Sequence, residues 1–120
     1  MPTKILIVDD SNVVRRSIQR TVGDEFYEIR TAGNGVEALR VVEDFSPEIV
    51  TMDITMPEMD GLTCVDAILR TKPATRILVI SALADKPTAV EAVKRGAQGF
   101  LLKPFTPESL QIELAELFKD

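Results

Sequence analysis

Val50-Thr51-Met52-Asp53-Ile54-Thr55-Met56-Pro57 decides the fold of this chain. Apolar residues run up to a single carboxylate, and a proline follows four positions later. Pro57 has no N–H to give to a ladder, so a strand entering here ends near Asp53. Asp53 therefore stands at the carboxyl end of a strand, and in an open α/β sheet that rim is where ligands bind. An aspartate in such a loop often only caps the next helix, but Asp60, just before Gly61-Leu62, is better placed for that.

Outward from this strand, the same pattern recurs. Lys4-Ile5-Leu6-Ile7-Val8 and Arg76-Ile77-Leu78-Val79-Ile80 are short continuous apolar runs, as expected of strands covered on both faces. They end in Asp9-Asp10 and Ser81, and a shorter run, Phe100-Leu101-Leu102, ends in Lys103-Pro104. Tyr27-Glu28-Ile29-Arg30-Thr31 alternates instead, which marks a half-covered edge strand. Between the strands lie helical patterns. Ser11 caps one that buries Val14, Ile18 and Val22, and Asn34-Gly35-Val36-Glu37 is a capping box opening one with Val36, Leu39 and Val42 inward. Leu62, Val65, Ile68 and Leu69 stripe a third helix, ended by Pro73. A fourth carries Val90 and Val93, begins near Asp85 or Pro87, and stops at Gly96. Thr106-Pro107 opens the last, with Leu110, Leu114 and Leu117 on its inner stripe and Ile112 opposite.

Five alternations of strand and helix predict a doubly wound five-stranded parallel sheet. With the polar strand at an edge, the strand order is 2-1-3-4-5, and strands one and three meet at the switch point. The chain of 120 residues fits one domain, 1–120, around one core. Its net charge of −5 argues against a nucleic-acid surface, and no apolar run is long enough to span a membrane. The lone Cys64 excludes an internal disulfide and points to a reducing, cytoplasmic compartment, with the thiol in the core. There is no histidine, so any chemistry resting on an imidazole of this chain is closed.

In this fold Asp9, Asp10, Asp53, Ser81 and Lys103 gather on one rim. Carboxylates a few ångströms apart repel by about 4 kcal/mol per close pair at an effective dielectric near 20, so one takes a proton or a cation joins them. An all-oxygen donor set suits a hard divalent ion, foremost Mg2+, which completes its shell with water and phosphate oxygen. With Lys103 as a cation and Ser81 as a hydroxyl donor, the rim describes a pocket that gathers a phosphoryl group onto Asp53 as nucleophile.

Val8-Asp9-Asp10, the run from Met52 to Gly61, Ser81-Ala82 and Lys103-Pro104-Phe105, in this order and spacing, resemble the receiver domain of two-component response regulators along the whole chain. The resemblance implies a flavodoxin-like (βα)5 fold and a signalling switch, not an enzyme acting on a separate substrate. It implies phosphorylation of Asp53 by a histidine kinase or histidine phosphotransfer protein. It implies Mg2+, with Mn2+ able to substitute, held by Asp10 directly, by Asp9 largely through water, by Asp53 and by the Thr55 carbonyl. Ser81 and Phe100 are then the switch residues. Lys103 pairs with the phosphoryl group and precedes a cis Pro104, and Thr55 and Leu83 tune the lifetime of the phosphorylated state. Many relatives have Tyr at the position of Phe100. A protein target meets the face formed by the fourth helix, fifth strand and fifth helix, and the chain is a monomer or a phosphorylation-dependent dimer. Its length matches free-standing regulators of the chemotaxis type; the alternative is a receiver cut from a transcription factor or enzyme. Aspartyl-phosphate phosphatases of the haloacid dehalogenase type have D-x-D-x-T after strand one, whereas here Thr55 takes the second aspartate's place after Asp53. A flavodoxin-like carrier needs a first loop that welcomes phosphate, and Asp9-Asp10 repel it.

Overall fold

The computed structural model describes residues 2–54, 56, 59–82 and 86–117. Its elements, in chain order, are β1 (Thr3–Val8), α1 (Asn12–Val22), β2 (Tyr27–Ala32), α2 (Gly35–Phe45), β3 (Ile49–Asp53), α3 (Gly61–Thr71), β4 (Arg76–Ser81), α4 (Lys86–Lys94), β5 (Gly99–Leu102) and α5 (Pro107–Leu117). All pairings are parallel and the order is β2-β1-β3-β4-β5, as the alternation predicts.

The apolar runs of β1, β3 and β4 are strands buried on both faces, whereas the shorter run in β5 is half-buried, with Leu102 exposed. Ile5, Ile7, Ile49, Leu78 and Ile80 pack with Ile18 of α1 and with Leu110, Leu114 and Leu117 of α5. Leu6, Val8, Val50, Met52, Ile77 and Val79 pack on the opposite face with residues of α2 and α3 and with Ala92 of α4. Each such fully buried aliphatic side chain contributes about 1.5–3 kcal/mol of transfer free energy. The edge strand β2 alternates between half-buried and exposed positions, as its sequence does.

The helix starts follow local chemistry. Side chains of Ser11, Asn34 and Asp60 accept the N–H groups of Val14, Glu37 and Thr63. Thr106 and Ser109 exchange side-chain and main-chain hydrogen bonds at the start of α5. At the end of α4 the Gly96 N–H reaches the Val93 carbonyl and the Ala97 N–H the Ala92 carbonyl, at 3.0 Å each, with Gly96 at φ +110°. That is a Schellman termination, which requires the positive φ that glycine supplies.

Helix phase departs from the sequence reading at Val36. Val36 is exposed, because α2 presents Gly35, Ala38, Val42 and Phe45 to the sheet and Val36 lies one residue, about 100°, off that stripe. Val90 and Val93 are also exposed, while Ala92 is the residue that α4 buries. Val14, Val22, Leu62 and Leu69 flank the core half-buried. The first described residue of α4 is Lys86; Asp85 lies outside the described residues.

Candidate functional site

Strand register assembles the rim. Val8 is paired with Met52, Asp53 with Ile80, and Ser81 with Leu102. The residues that end or follow these strands, Asp9, Asp53, Ser81 and Lys103, are thereby set side by side.

Asp9 continues the Ile5–Ile7 side of β1 and is buried. Its N–H donates to the Ala32 carbonyl at 3.2 Å, and its Oδ1 accepts the Ser11 N–H at 2.9 Å. Lys103 Nζ lies 2.8 Å from Asp9 Oδ2 and 3.4 Å from Asp53 Oδ1. Asp53 is only 4% exposed, whereas Asp10, one residue beyond the strand end, is open to solvent. One oxygen from each of Asp9, Asp10 and Asp53 falls within 4.8 Å of the others. The Lys103 N–H donates to the Ser81 carbonyl at 2.8 Å, which ties the lysine's main chain to the end of β4, and the Lys103-Pro104 peptide is cis.

Burial raises the Asp53 pKa to about 6; the neighbouring Asp9 charge and, less, Asp10 add to this, and Lys103 opposes it. Burial also pulls the Lys103 ammonium down, but its hydrogen bond to Asp9 and the charges of Asp53 and Asp9 outweigh that and raise its pKa. Three converging carboxylates partly neutralised by one ammonium form an oxygen-donor set with residual negative charge. These residues fit a hard divalent cation. A surface groove lined by Ser46, Pro47, Lys72, Pro73 and Arg76 opens at the other end of the strands. It has volume but not this convergence of charge.

Phe100 is not part of the pocket. It is half-buried on β5 and packs against the core shared with α2 and α3. Ile112 is exposed, as its place on the helix predicts. Thr55 and Leu83 lie outside the described residues. Cys64 is fully buried and its thiol is pushed up to about 11, chiefly by burial, which suits the core role expected of it.

Two residues of the site escaped the sequence reading. Gly61 opens α3 directly over the strand end: a Cβ there would stand 2.2 Å from the Asp53 carbonyl oxygen, and its N–H donates to the Ile54 carbonyl at 2.8 Å. Only glycine allows that approach. Arg15 reaches back from α1 and donates to the Asp9 carbonyl. Helical side chains lean toward the N-terminus, so a long basic residue one turn into α1 was the available signal.

A family model described as the response regulator receiver domain matches residues 5–115. The chain belongs to this family. Among relatives of this receiver, a chemotaxis protein CheY of Listeria monocytogenes is 42% identical over 103 residues, covering 85% of this chain and 87% of the relative. The CheY of Thermotoga maritima is 38% identical over 120 residues, covering 99% of this chain and all of the relative. Among solved structures, a CheX–CheY–BeF3–Mg2+ complex from Borrelia burgdorferi matches with a TM-score of 0.95 and 32% identity, over 100% of this receiver and 92% of the matched chain.

Proposed function

We propose that this receiver is a phosphorylation-dependent signalling switch whose phosphoacceptor is Asp53. The observation that carries this reading is the Lys103 ammonium lying against both Asp9 and Asp53, with Asp10 completing a cluster of three carboxylates at one rim. The donor is a phosphohistidine, which must belong to a separate kinase or phosphotransfer protein because this chain has no histidine; a small acyl phosphate can substitute for it. A carboxylate oxygen of Asp53 forms the new bond to phosphorus as the bond from phosphorus to the donor breaks, whether to the imidazole nitrogen of a phosphohistidine or to the acyl oxygen of an acyl phosphate. Lys103 then pairs with the phosphoryl oxygens, and the Ser81 hydroxyl donates to one of them. Asp10, Asp53 and the Thr55 carbonyl, with Asp9 largely through water, would hold Mg2+, or Mn2+ in its place, which when bound would offset the charge of the transferring phosphoryl group. Water later attacks phosphorus, releases inorganic phosphate and restores the carboxylate. The receiver thus assists its own phosphorylation and dephosphorylation, without a separate substrate.

The output reading is a free-standing, cytoplasmic regulator of the chemotaxis type. Relatives of that name match over nearly their whole length, and no helix among the described residues is long and apolar enough to cross a membrane. The surface of α4, β5 and α5 exposes Val90, Val93, Leu102 and Ile112, which favours a protein partner there. Phosphorylation shifts a pre-existing equilibrium on that face, with Phe100 more inward in the active state.

Acetyl phosphate with Mg2+, followed by mass spectrometry, tests the acceptor. One phosphoryl group is expected on the wild type and none on Asp53→Asn; label retained by that variant refutes the assignment. NMR with beryllofluoride tests the output face, where shifts confined to the pocket would refute the proposed transmission.

A further inference from the structure

We infer that Arg15 is a positioning residue for the acidic cluster, acting through the peptide that joins Asp9 to Asp10. The inference rests on the proposed cation site. It concerns a residue outside the carboxylate set.

The Asp9 main chain is held on both sides. Its N–H donates to the Ala32 carbonyl at the end of β2, and its own carbonyl accepts from Arg15 Nη1. That carbonyl belongs to the Asp9–Asp10 peptide, and a peptide is planar, so fixing its oxygen fixes the direction in which the Asp10 Cα leaves the strand. Asp9 needs little further help, because both of its carboxylate oxygens are engaged, by the Ser11 N–H and by Lys103. Asp10 differs. It is exposed, and its carboxylate makes no hydrogen bond among the described residues, so its place in the cluster depends on the main chain that carries it.

Arg15 is itself confined. Its Nη2 lies 3.4 Å from Asn12 Oδ1, and Nη1 stands 3.4 Å from the point where a side chain at Gly33 would begin. The guanidinium therefore sits between the first turn of α1 and the loop after β2. It bridges the two segments that flank the end of β1. A planar fork can hold a carbonyl and a second acceptor at once, which an ammonium does less well.

Charge and position make opposite forecasts. A guanidinium near a cation site repels the cation, so if Arg15 acted only by its charge, its removal would tighten binding. If it positions Asp10, removal loosens one oxygen donor and weakens binding.

Isothermal titration of metal-free protein with Mg2+ decides between them; the chain has no tryptophan to report the binding by quenching. Arg15→Ala is expected to weaken Mg2+ binding by about tenfold, the lower range for loss of an outer-sphere support. Arg15→Lys, which keeps one donor, is expected to recover part of that loss. In an Asp10→Asn background, Arg15→Ala is expected to change the affinity by less than about twofold, because the residue through which it acts has lost its charged donor. Phosphorylation by acetyl phosphate at saturating Mg2+ stays near wild type, while the Mg2+ needed for half the maximal rate rises. In the metal-free protein, the amide of Asp10 shifts in the NMR spectrum of Arg15→Ala while those of the last two turns of α1 do not. An Arg15→Ala protein that binds Mg2+ as tightly as wild type, or more tightly, overturns the inference alone. A wild type that takes up no Mg2+ overturns it together with the proposed cation site.

Discussion

Replacing Asp53 by asparagine should stabilise the metal-free protein, and by an amount that grows with pH. The native pKa of about 6 lies above the ordinary carboxylate value of 3.8, so the folded state binds the Asp53 proton more tightly than the unfolded chain does. Stability then falls as pH rises wherever the folded state holds more protons. Asp53's own contribution is therefore most favourable below about pH 4 and is lost between about pH 4 and 6. At 1.36 kcal/mol per unit, the full loss is about 3 kcal/mol at neutral pH. The Lys103 attraction is already inside that shift, since the lysine opposes it. About half of the loss is present by pH 5, when the unfolded chain is almost fully ionised and the folded one is not. The asparagine side chain does not titrate and suffers no such loss.

Urea denaturation followed by circular dichroism, in EDTA at pH values from about 4.5 to 8, measures this directly. With an m value of about 1.5–2 kcal/mol/M, a difference of 3 kcal/mol moves the midpoint by about 1.5–2 M. Saturating Mg2+ should close the gap, because a ligand at a hundred times its Kd stabilises the binding state by about 2.7 kcal/mol and the variant lacks one charged donor. A difference between the two proteins that stayed flat with pH, or an asparagine variant less stable at pH 8, would refute the account of Asp53 as a buried, destabilising charge.

Thr51 is 1% exposed and its hydroxyl has no hydrogen-bond partner among the described residues, so Thr51→Val should raise stability by about 1 kcal/mol in the same urea assay. Gly61→Ala should cost about 3 kcal/mol or more, because the new Cβ meets the main chain of Asp53 and Ile54 at 2.2 and 2.6 Å, read as a fall in melting temperature. Substitutions at Thr55 and Leu83 should change the rate of phosphoaspartate loss far more than Mg2+ affinity, as followed by inorganic phosphate release; an unchanged lifetime in the double variant would place that control elsewhere.

The parts of this structure legible in sequence are those that one element settles alone. Runs such as Ile5–Val8 and Ile77–Ile80 are apolar throughout because both faces of their strands are covered, and the polar residue that follows each run marks the rim. Ser11, Asn34, Asp60 and Thr106 were readable as caps because capping is a contact within three residues. Helix phase was harder where small residues form the buried side. On α2 the buried side includes Gly35 and Ala38, and the bulkier Val36 drew the reading off that side. Gly61 and Arg15 act on main-chain atoms of other elements, so their roles depend on tertiary contacts that the local sequence only hints at. Nor did the adjacency of Asp9 and Asp10 show which would be buried: Asp9 keeps the inward direction of Ile5 and Ile7, and Asp10 has passed the strand end.

With Asp53 as the proposed acceptor, the same geometry favours a report through β5 over one through β3. With all groups ionised, three carboxylates and one ammonium leave two uncompensated negative charges, which a divalent cation cancels. A phosphoryl group then replaces the single charge of Asp53 by roughly −1.5 to −2, carried on oxygens farther from the main chain. Lys103 now lies between Asp9 and Asp53, and this redistribution draws it outward from Asp9. β3 cannot follow such a change, because every one of its residues is buried between the two helical layers. β5 is an edge strand with half-buried and exposed residues, its C-terminal neighbour is Lys103 itself, and α5 begins only a few residues later. A displacement of Lys103 therefore meets least resistance along β5, where Phe100 and the exposed Leu102 lie, and that is the path the proposed output takes.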